Sequence, residues 1–154
     1  MSRSDWLSAR EQRTWRAFLR VNSLIQESLD RDLRRGNGLS LIEYGILVHL
    51  SEAAGRRLRM SELADIVIVS RSRLTHQIGR LERDGYVRRE PCEEDRRGSW
   101  AILTPKGERS LREAAPDHVA QVRALMFDRL GPEDADRLAA ILDRLQESLR
   151  ADPG

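Results

Sequence analysis

Cysteine is almost absent from this sequence of 154 residues: Cys92 is its one cysteine, which excludes an internal disulfide framework. No run of about 18 apolar residues occurs, so no transmembrane helix is predicted. The N-terminus carries charges where a secretory signal would need an apolar segment. We therefore expect a cytoplasmic protein that does not enter a membrane.

Lysine is also nearly missing, because 26 of the 27 basic residues are arginine and only Lys106 is lysine. The planar guanidinium suits phosphate and guanine recognition better than an ammonium does. A genome rich in G and C would produce the same bias, and the formal net charge is only +2. Composition therefore permits a nucleic-acid binder without establishing one.

Patterns typical of catalytic or metal sites are absent as well. The sequence has no glycine-rich phosphate loop, no nucleophile elbow and no HExxH motif. Its histidines, His49, His76 and His118, show no spacing typical of metal ligands. Cys92 lies among glutamates, which disfavour a reactive thiolate, so a redox role is not favoured. We expect neither an enzyme nor a bound metal or cofactor.

Long amphipathic helices are predicted at both ends of the chain. Apolar residues recur at helical spacing from about Ser8 to Arg34, and the glycines that follow end this helix. Near the C-terminus a helix opens at Pro105 with a kink or break expected at Pro116, and Gly131 introduces a last helix. These apolar stripes are longer than one small domain can cover, which indicates a second apolar surface such as another subunit.

The middle of the chain has the pattern of a helix-turn-helix. A capping box at Ser40 and Glu43 begins a second helix. Ser61 is expected to cap a short third helix, and Ser70 caps a fourth that ends at Gly85. Only a few residues separate the third and fourth helices, a length typical of this motif.

Two β-rich segments follow, Tyr86 to Glu90 and Ser99 to Leu103, with a polar connection too long for a two-residue turn. They predict a β-hairpin beside the helix-turn-helix, as a wing of two or three strands. The expected fold class is therefore mainly α (α+β), with a winged helix-turn-helix over residues 40–103.

Six arginines and only two acids lie between Ser70 and Arg89. If the apolar residues of the fourth helix face inward, its polar residues form an outward face suited to base edges and phosphates. Gly79 on this face would allow close approach to a nucleic-acid backbone. The alternative is an arginine-rich face that is only solvated. The candidate DNA-binding residues of this helix are Ser70, Ser72, Arg73, Thr75, His76, Gln77 and Arg80.

The hairpin loop adds Asp95, Arg96 and Arg97 to the candidate DNA-binding residues. A charge-assisted pair between Asp95 and Arg97 would orient the guanidinium for entry into a narrow minor groove. The alternative is a surface turn with offsetting charges, which contributes little energy.

Several segments together resemble the MarR-type transcriptional regulators, and the resemblance extends over essentially the whole chain. The spacing between the Asp-x-Arg of the wing and the following Leu-Thr-x-x-Gly is the most specific feature. The matching segments are Arg57–Ala64, Ser70–Thr75, Arg80–Arg89, Asp95–Arg97 and Leu103–Gly107.

The resemblance implies a homodimer whose terminal helices intertwine, here residues 1–35 and 105–150. It also implies binding of double-stranded DNA at a pseudo-palindromic operator, usually with repression. Release by a small aromatic or lipophilic effector, or by oxidation, is the expected regulation. The candidate effector-binding residues are Trp15, Phe18, Tyr44 and His118, although aromatic residues on helical stripes more often belong to a core.

Two other functions remain open from the sequence. A winged helix can be a protein–protein interaction module that binds no specific DNA, and the modest net charge agrees with this reading. A third reading is architectural DNA binding of low specificity. The polar residues on the fourth helix argue against that third reading.

Overall fold

The computed structural model describes residues 6–93 and 98–151. Over these residues the chain is mostly helical, with a small antiparallel sheet, as the predicted fold class requires. The elements are α1 (Ala9–Asn37), α2 (Leu41–Glu52), β1 (Arg57–Arg59), α3 (Met60–Ile66), α4 (Arg71–Arg83), β2 (Val87–Pro91), β3 (Ser99–Leu103), α5 (Pro105–Leu125) and α6 (Pro132–Ala151). One compact unit ends at His118 and a second begins at Val119.

Capping boxes begin both N-terminal helices. At α1 the backbone N–H of Ser8 donates to the Glu11 carboxylate at 2.8 Å, and Glu11 N–H donates to the Ser8 hydroxyl at 3.3 Å. Ser40 and Glu43 repeat this arrangement at α2, with distances of 2.8 and 3.1 Å. Because both boxes satisfy backbone groups that a helix end leaves unpaired, the predicted helix starts are confirmed.

The start of α3 differs from the prediction that Ser61 caps it. The helix begins at Met60, and the backbone N–H of Arg59 donates to the Glu62 carboxylate at 3.0 Å. The reason is the short strand β1, which the sequence analysis missed and which ends at Arg59, directly before the helix. Ser61 therefore lies within the first turn.

Pro116 does not break α5, contrary to one form of the prediction. The helix continues from Pro105 to Leu125 with Pro116 inside it. An interior proline removes one backbone hydrogen bond and costs about 3 kcal/mol. Leu111 and Ala114, in the turn before it, are buried in the core and hold that part of the helix in place.

The sheet has three strands in the order β1-β3-β2, both pairings antiparallel, so the three-stranded form of the wing is the observed one. Val87 pairs with Leu103 and Leu58 with Ala101 across the central strand. Because side chains alternate along a strand, Ala101 and Leu103 face the core and are buried.

The core of the first unit lies between α2, the helix-turn-helix and the sheet. Ile46, Leu47 and Leu50 of α2 are completely buried, and Leu63 of α3 joins them. α2 is apolar on most of its sides, as expected for a helix enclosed by its neighbours. The helix-turn-helix thus packs on one central helix.

A network at the start of α5 holds the C-terminal end of α4. The Thr104 hydroxyl donates to the carbonyl of Gly85 at 2.7 Å and accepts from the N–H of Gly107 at 3.0 Å. Lys106 donates to the carbonyl of Asp84 at 2.6 Å. Gly85 has φ = 75°, the left-handed conformation that glycine adopts without strain. The end of α4 is therefore anchored in a defined position.

Candidate nucleic-acid interface

Helix α4 presents one apolar face to the core and one polar face to solvent. Leu74, Ile78 and Leu81 are at most 1% exposed, which confirms the orientation expected from their spacing. With 13 residues the helix is about 20 Å long, and a major groove about 12 Å wide accepts such a helix. This polar face is the candidate interface.

The seven candidates on α4 differ in their surroundings. Four of them make local contacts: the Ser70 hydroxyl caps the helix by accepting from Arg73 N–H at 3.2 Å, and it lies 3.2 Å from the Ser72 hydroxyl. Thr75 donates to the Arg71 carbonyl at 2.8 Å, which turns its hydroxyl toward its own helix. The exposed candidates are Ser70, Ser72, Arg73, Thr75 and His76.

Gln77 and Arg80 are only half exposed. The amide oxygen of Gln77 is buried and has no hydrogen-bond partner within residues 6–93 and 98–151. This placement agrees with its expected position on the flank of the helix, since a residue at the centre of the polar face would expose its amide.

Three of the six arginines between Ser70 and Arg89 form ion pairs within the protein. Arg89 binds the Glu82 carboxylate through two nitrogens, at 2.8 and 3.0 Å. This hydrogen bonding holds the pKa of Glu82 below its ordinary value. The other two pairs are Arg80 with Glu43 and Arg88 with Glu90.

The remaining three arginines, Arg71, Arg73 and Arg83, are exposed. Their guanidinium groups have no ion-pair partner in the described part of the chain. Because carboxylates neutralise the other three, the positive charge of this segment is concentrated on α4. The surface with unpaired positive charge is therefore formed by three arginines on α4, fewer than the six that the sequence places between Ser70 and Arg89.

Glu43 is a residue whose contribution the sequence analysis missed. Its side chain is 3% exposed, forms an ion pair with Arg80 at 3.1 Å from Nε, and accepts from the backbone N–H of Ser40. The pair links α2 to α4, so Arg80 helps to hold α4 in place. The capping-box spacing identified Glu43 as a cap but gave no signal of this contact.

The wing loop candidates Asp95, Arg96 and Arg97 lie outside the described residues. In the same sheet, β1 carries a basic surface that the sequence analysis did not single out. The guanidinium carbons of Arg57 and Arg59 lie 4.6 and 5.3 Å from the centre of the Trp100 ring. Such cation–π contacts hold both arginines on the solvent side of the sheet.

Comparisons with known proteins agree with this geometry. A family model described as "MarR family" matches residues 37–98. The crystal structure of Sco3205 from Streptomyces coelicolor, a MarR family transcriptional regulator in complex with DNA, superposes with a TM-score of 0.91 at 46% identity, covering 97% of this chain and 93% of that chain. AbsC, a MarR family regulator from the same organism, gives 0.88 at 47%, covering 97% and 100%. The chain belongs to the MarR family of transcriptional regulators.

A third relative is a transcriptional repressor. The transcriptional repressor YetL of Bacillus subtilis is 33% identical over 114 residues, which are 74% of this chain and 68% of YetL. The matches of all three relatives extend well beyond the helix-turn-helix. Membership of the MarR family therefore accounts for the terminal helices as well as for the winged part.

The four aromatic candidates of this MarR-family chain fall into two pairs. The rings of Tyr44 and His118 are 4.3 Å apart, and those of Trp15 and Phe18 are stacked at 6.2 Å. Burial raises the pKa of Tyr44 and lowers that of His118. Nδ1 of His118 is buried without a hydrogen-bond partner in the described chain. Tyr44 is therefore enclosed and His118 is partly buried, whereas Trp15 and Phe18 are half exposed.

The described ranges, residues 6–93 and 98–151, lack the features of a metal site and of a membrane span. They contain no cluster of three or more His, Cys, Asp or Glu side chains able to hold a metal ion. None of their helices combines the length and apolar character needed to cross a bilayer. Cys92 is 4% exposed and has a free thiol.

Proposed function

We propose that this MarR-family chain is a sequence-specific DNA-binding regulator that acts as a repressor. The observation that carries the proposal is the polar face of α4, where Arg71, Arg73 and Arg83 are exposed and unpaired within the described chain. Arginine forks read guanine edges, and arginine charges bind phosphates. The similarity to Sco3205, crystallised with DNA, and to the repressor YetL supports both parts of the proposal.

We also propose that the regulator is a homodimer on an inverted-repeat operator. Support comes from apolar side chains that each unit leaves in solvent, because large exposed apolar patches mark protein interfaces. In α1 these are Trp15, Phe18, Leu19, Val21 and Leu24, and in α6 they are Ile141, Leu142, Leu145 and Leu149.

A small aromatic or lipophilic effector is proposed to release the DNA. The rings of Tyr44 and His118, tilted against each other, offer aromatic contacts, and Nδ1 of His118, which has no partner in the described chain, offers a hydrogen bond to a polar substituent. Trp15 and Phe18 supply a second aromatic surface, which is half exposed in the single chain. The proposed action is by binding alone, in the cytoplasm, without catalysis or cofactor.

The wing is proposed to contact the minor groove. Asp95 would orient Arg97 for insertion, with Arg96 beside it, as the resemblance to the family implies. Arg57 and Arg59, held over Trp100 at the base of the wing, support the proposal because they add positive charge to the same sheet.

The experiment begins with selection of bound sequences from random duplex DNA, which should recover an inverted repeat. Arg73→Ala is then expected to lose about 1–3 kcal/mol of operator binding and to relax specificity at one base pair. Arg89→Ala is the matched control, because Arg89 is already neutralised by Glu82. Gel-shift titrations at several salt concentrations measure both.

Two results would contradict the proposal. The first is equal operator affinity for wild type and Arg73→Ala. The second is equal affinity of the wild type for operator and random duplex, which indicates architectural binding.

A further inference from the structure

The turn between α3 and α4 contains a backbone conformation that isoleucine rarely adopts. Ile68 has φ = 52°, in the left-handed region that strongly disfavours β-branched residues. The N–H of Val69 donates to the carbonyl of Ala64 at 3.2 Å, the closing bond of a Schellman motif. Ile68 thus occupies the position after the helix end where glycine is usual.

The same chain provides the comparison. After α4, the N–H of Tyr86 donates to the carbonyl of Leu81 at 2.8 Å, and the corresponding position is Gly85 with φ = 75°. Glycine closes that motif without steric strain, whereas a residue with a Cβ in this conformation is strained. The two motifs therefore differ in the residue at the position with positive φ, which is isoleucine after α3 and glycine after α4.

The side chain of Ile68 itself makes no contact within the described fold that offsets the strain. Its side chain is 89% exposed, while the adjacent Val67 and Val69 pack against the core. Arg56, another non-glycine residue with positive φ, is instead held by an ion pair with Glu108. Strain that is retained without a compensating contact is typical of functional positions.

The position of Ile68 indicates what its side chain contacts. It lies two residues before Ser70, the cap of α4, and so precedes the helix that carries the exposed arginines. On the edges of bases in the major groove, the one apolar group is the C5-methyl of thymine. An exposed isoleucine side chain beside the helix that is proposed to bind DNA is suited to an apolar contact with that methyl group.

We propose that Ile68 is a specificity-determining residue that packs on the C5-methyl group of a thymine in each half-site. This inference rests on the proposed operator binding. The strained turn holds the side chain away from the core and toward the DNA. Glycine at this position would have no side chain to contact the methyl group of the thymine.

The test replaces each thymine of the selected operator by deoxyuridine, which removes only the methyl group. Wild type is expected to lose about fourfold in affinity at one position per half-site, the effect of one buried methyl group. Ile68→Gly should bind the unmodified operator more weakly and lose nothing further at that position. Ile66→Ala, which removes a partly exposed isoleucine on α3, is the matched control and should keep the fourfold response.

Melting temperatures separate binding from folding. Ile68→Gly should melt no lower than wild type, because glycine relieves the strain of the turn; a lower melting temperature would overturn the argument. The inference also fails if a selected operator shows no methyl effect, if Ile68→Gly keeps the effect, or if Ile66→Ala alone loses it. Failure to select any operator would instead contradict the proposed function.

Discussion

The carboxylate of Glu43 stabilises two elements at once. It closes the capping box of α2 and forms an ion pair with Arg80 of α4, and it is nearly inaccessible to water. A buried carboxylate needs such partners because its desolvation is costly. Glu11 occupies the same position in the capping box of α1, but it is exposed and its box includes no second helix.

These two glutamates give a matched pair of substitutions. Glutamine preserves a capping box but removes the charge. Glu43→Gln is therefore expected to lower the free energy of unfolding by about 1–3 kcal/mol, less than for a fully buried pair because Arg80 can turn to solvent. Glu11→Gln should have little effect. Urea unfolding at one protein concentration measures both, and equal effects would show that the Arg80 contact adds nothing.

Residue-level features were predictable where they depended on local spacing. Leu74, Ile78 and Leu81 repeat along one helix, so their burial could be inferred from the sequence. The Glu43–Arg80 pair joins two helices distant in sequence, and no local pattern encodes it. The strain at Ile68 was equally hidden, because it depends on the hydrogen bond that closes the turn.

At the scale of elements, two glycines have opposite surroundings: Gly79 lies within α4 and Gly107 lies in the first turn of α5. A Cβ on Gly107 would collide with the backbone carbonyl of Tyr86 and lie 2.8 Å from Leu103 Cδ1. A Cβ on Gly79 would meet nothing within 4 Å. Gly107 is therefore needed where α5 packs against the end of α4, whereas the fold does not require Gly79.

Alanine at each glycine tests this difference. Gly107→Ala should cost about 3 kcal/mol or more, because backbone cannot move aside cheaply. Gly79→Ala should stabilise α4 by about 1 kcal/mol through helix propensity. If Gly79 allows DNA to approach closely, the same variant should also bind operator more weakly in a gel shift. Unchanged affinity would show that its Cβ faces away from the DNA.

The elements were predicted most accurately where a cap or a long apolar stripe marked them. The starts of α1, α2 and α4 were correct for this reason. β1 has only three residues, too few for an alternating pattern, and missing it misplaced the start of α3. The break expected at Pro116 was wrong, since α5 continues through this residue and the turn before it is buried, whereas the kink stays a prediction.

At the scale of the whole molecule, the apolar faces of α1 and α6 are the main unexplained surface of the single chain. α6, described in full from Pro132 to Ala151, has no buried residue. A helix with this apolar stripe gains little from folding unless another surface covers it. The proposed dimer supplies such a surface from an identical chain.

Leu145→Glu should therefore weaken the dimer. Wild type is expected to sediment at twice the chain mass of 17.7 kDa, and the variant should shift toward the monomer because a charge would enter an apolar interface. Ile66→Glu is the control, since Ile66 is also partly exposed but lies on α3. A dimer that tolerates Leu145→Glu as well as Ile66→Glu would place the interface elsewhere.

Operator geometry gives the dimer a second, independent test. A two-fold symmetric pair of recognition helices requires half-sites about one helical turn apart, roughly 34–36 Å. Insertion of about 5 base pairs between the half-sites turns one of them to the opposite side of the duplex, so wild-type affinity should fall steeply. Leu145→Glu, which engages one half-site at a time, should bind the original and the lengthened operator equally. If the insertion leaves the operator affinity of wild type unchanged as well, the two subunits bind their half-sites independently.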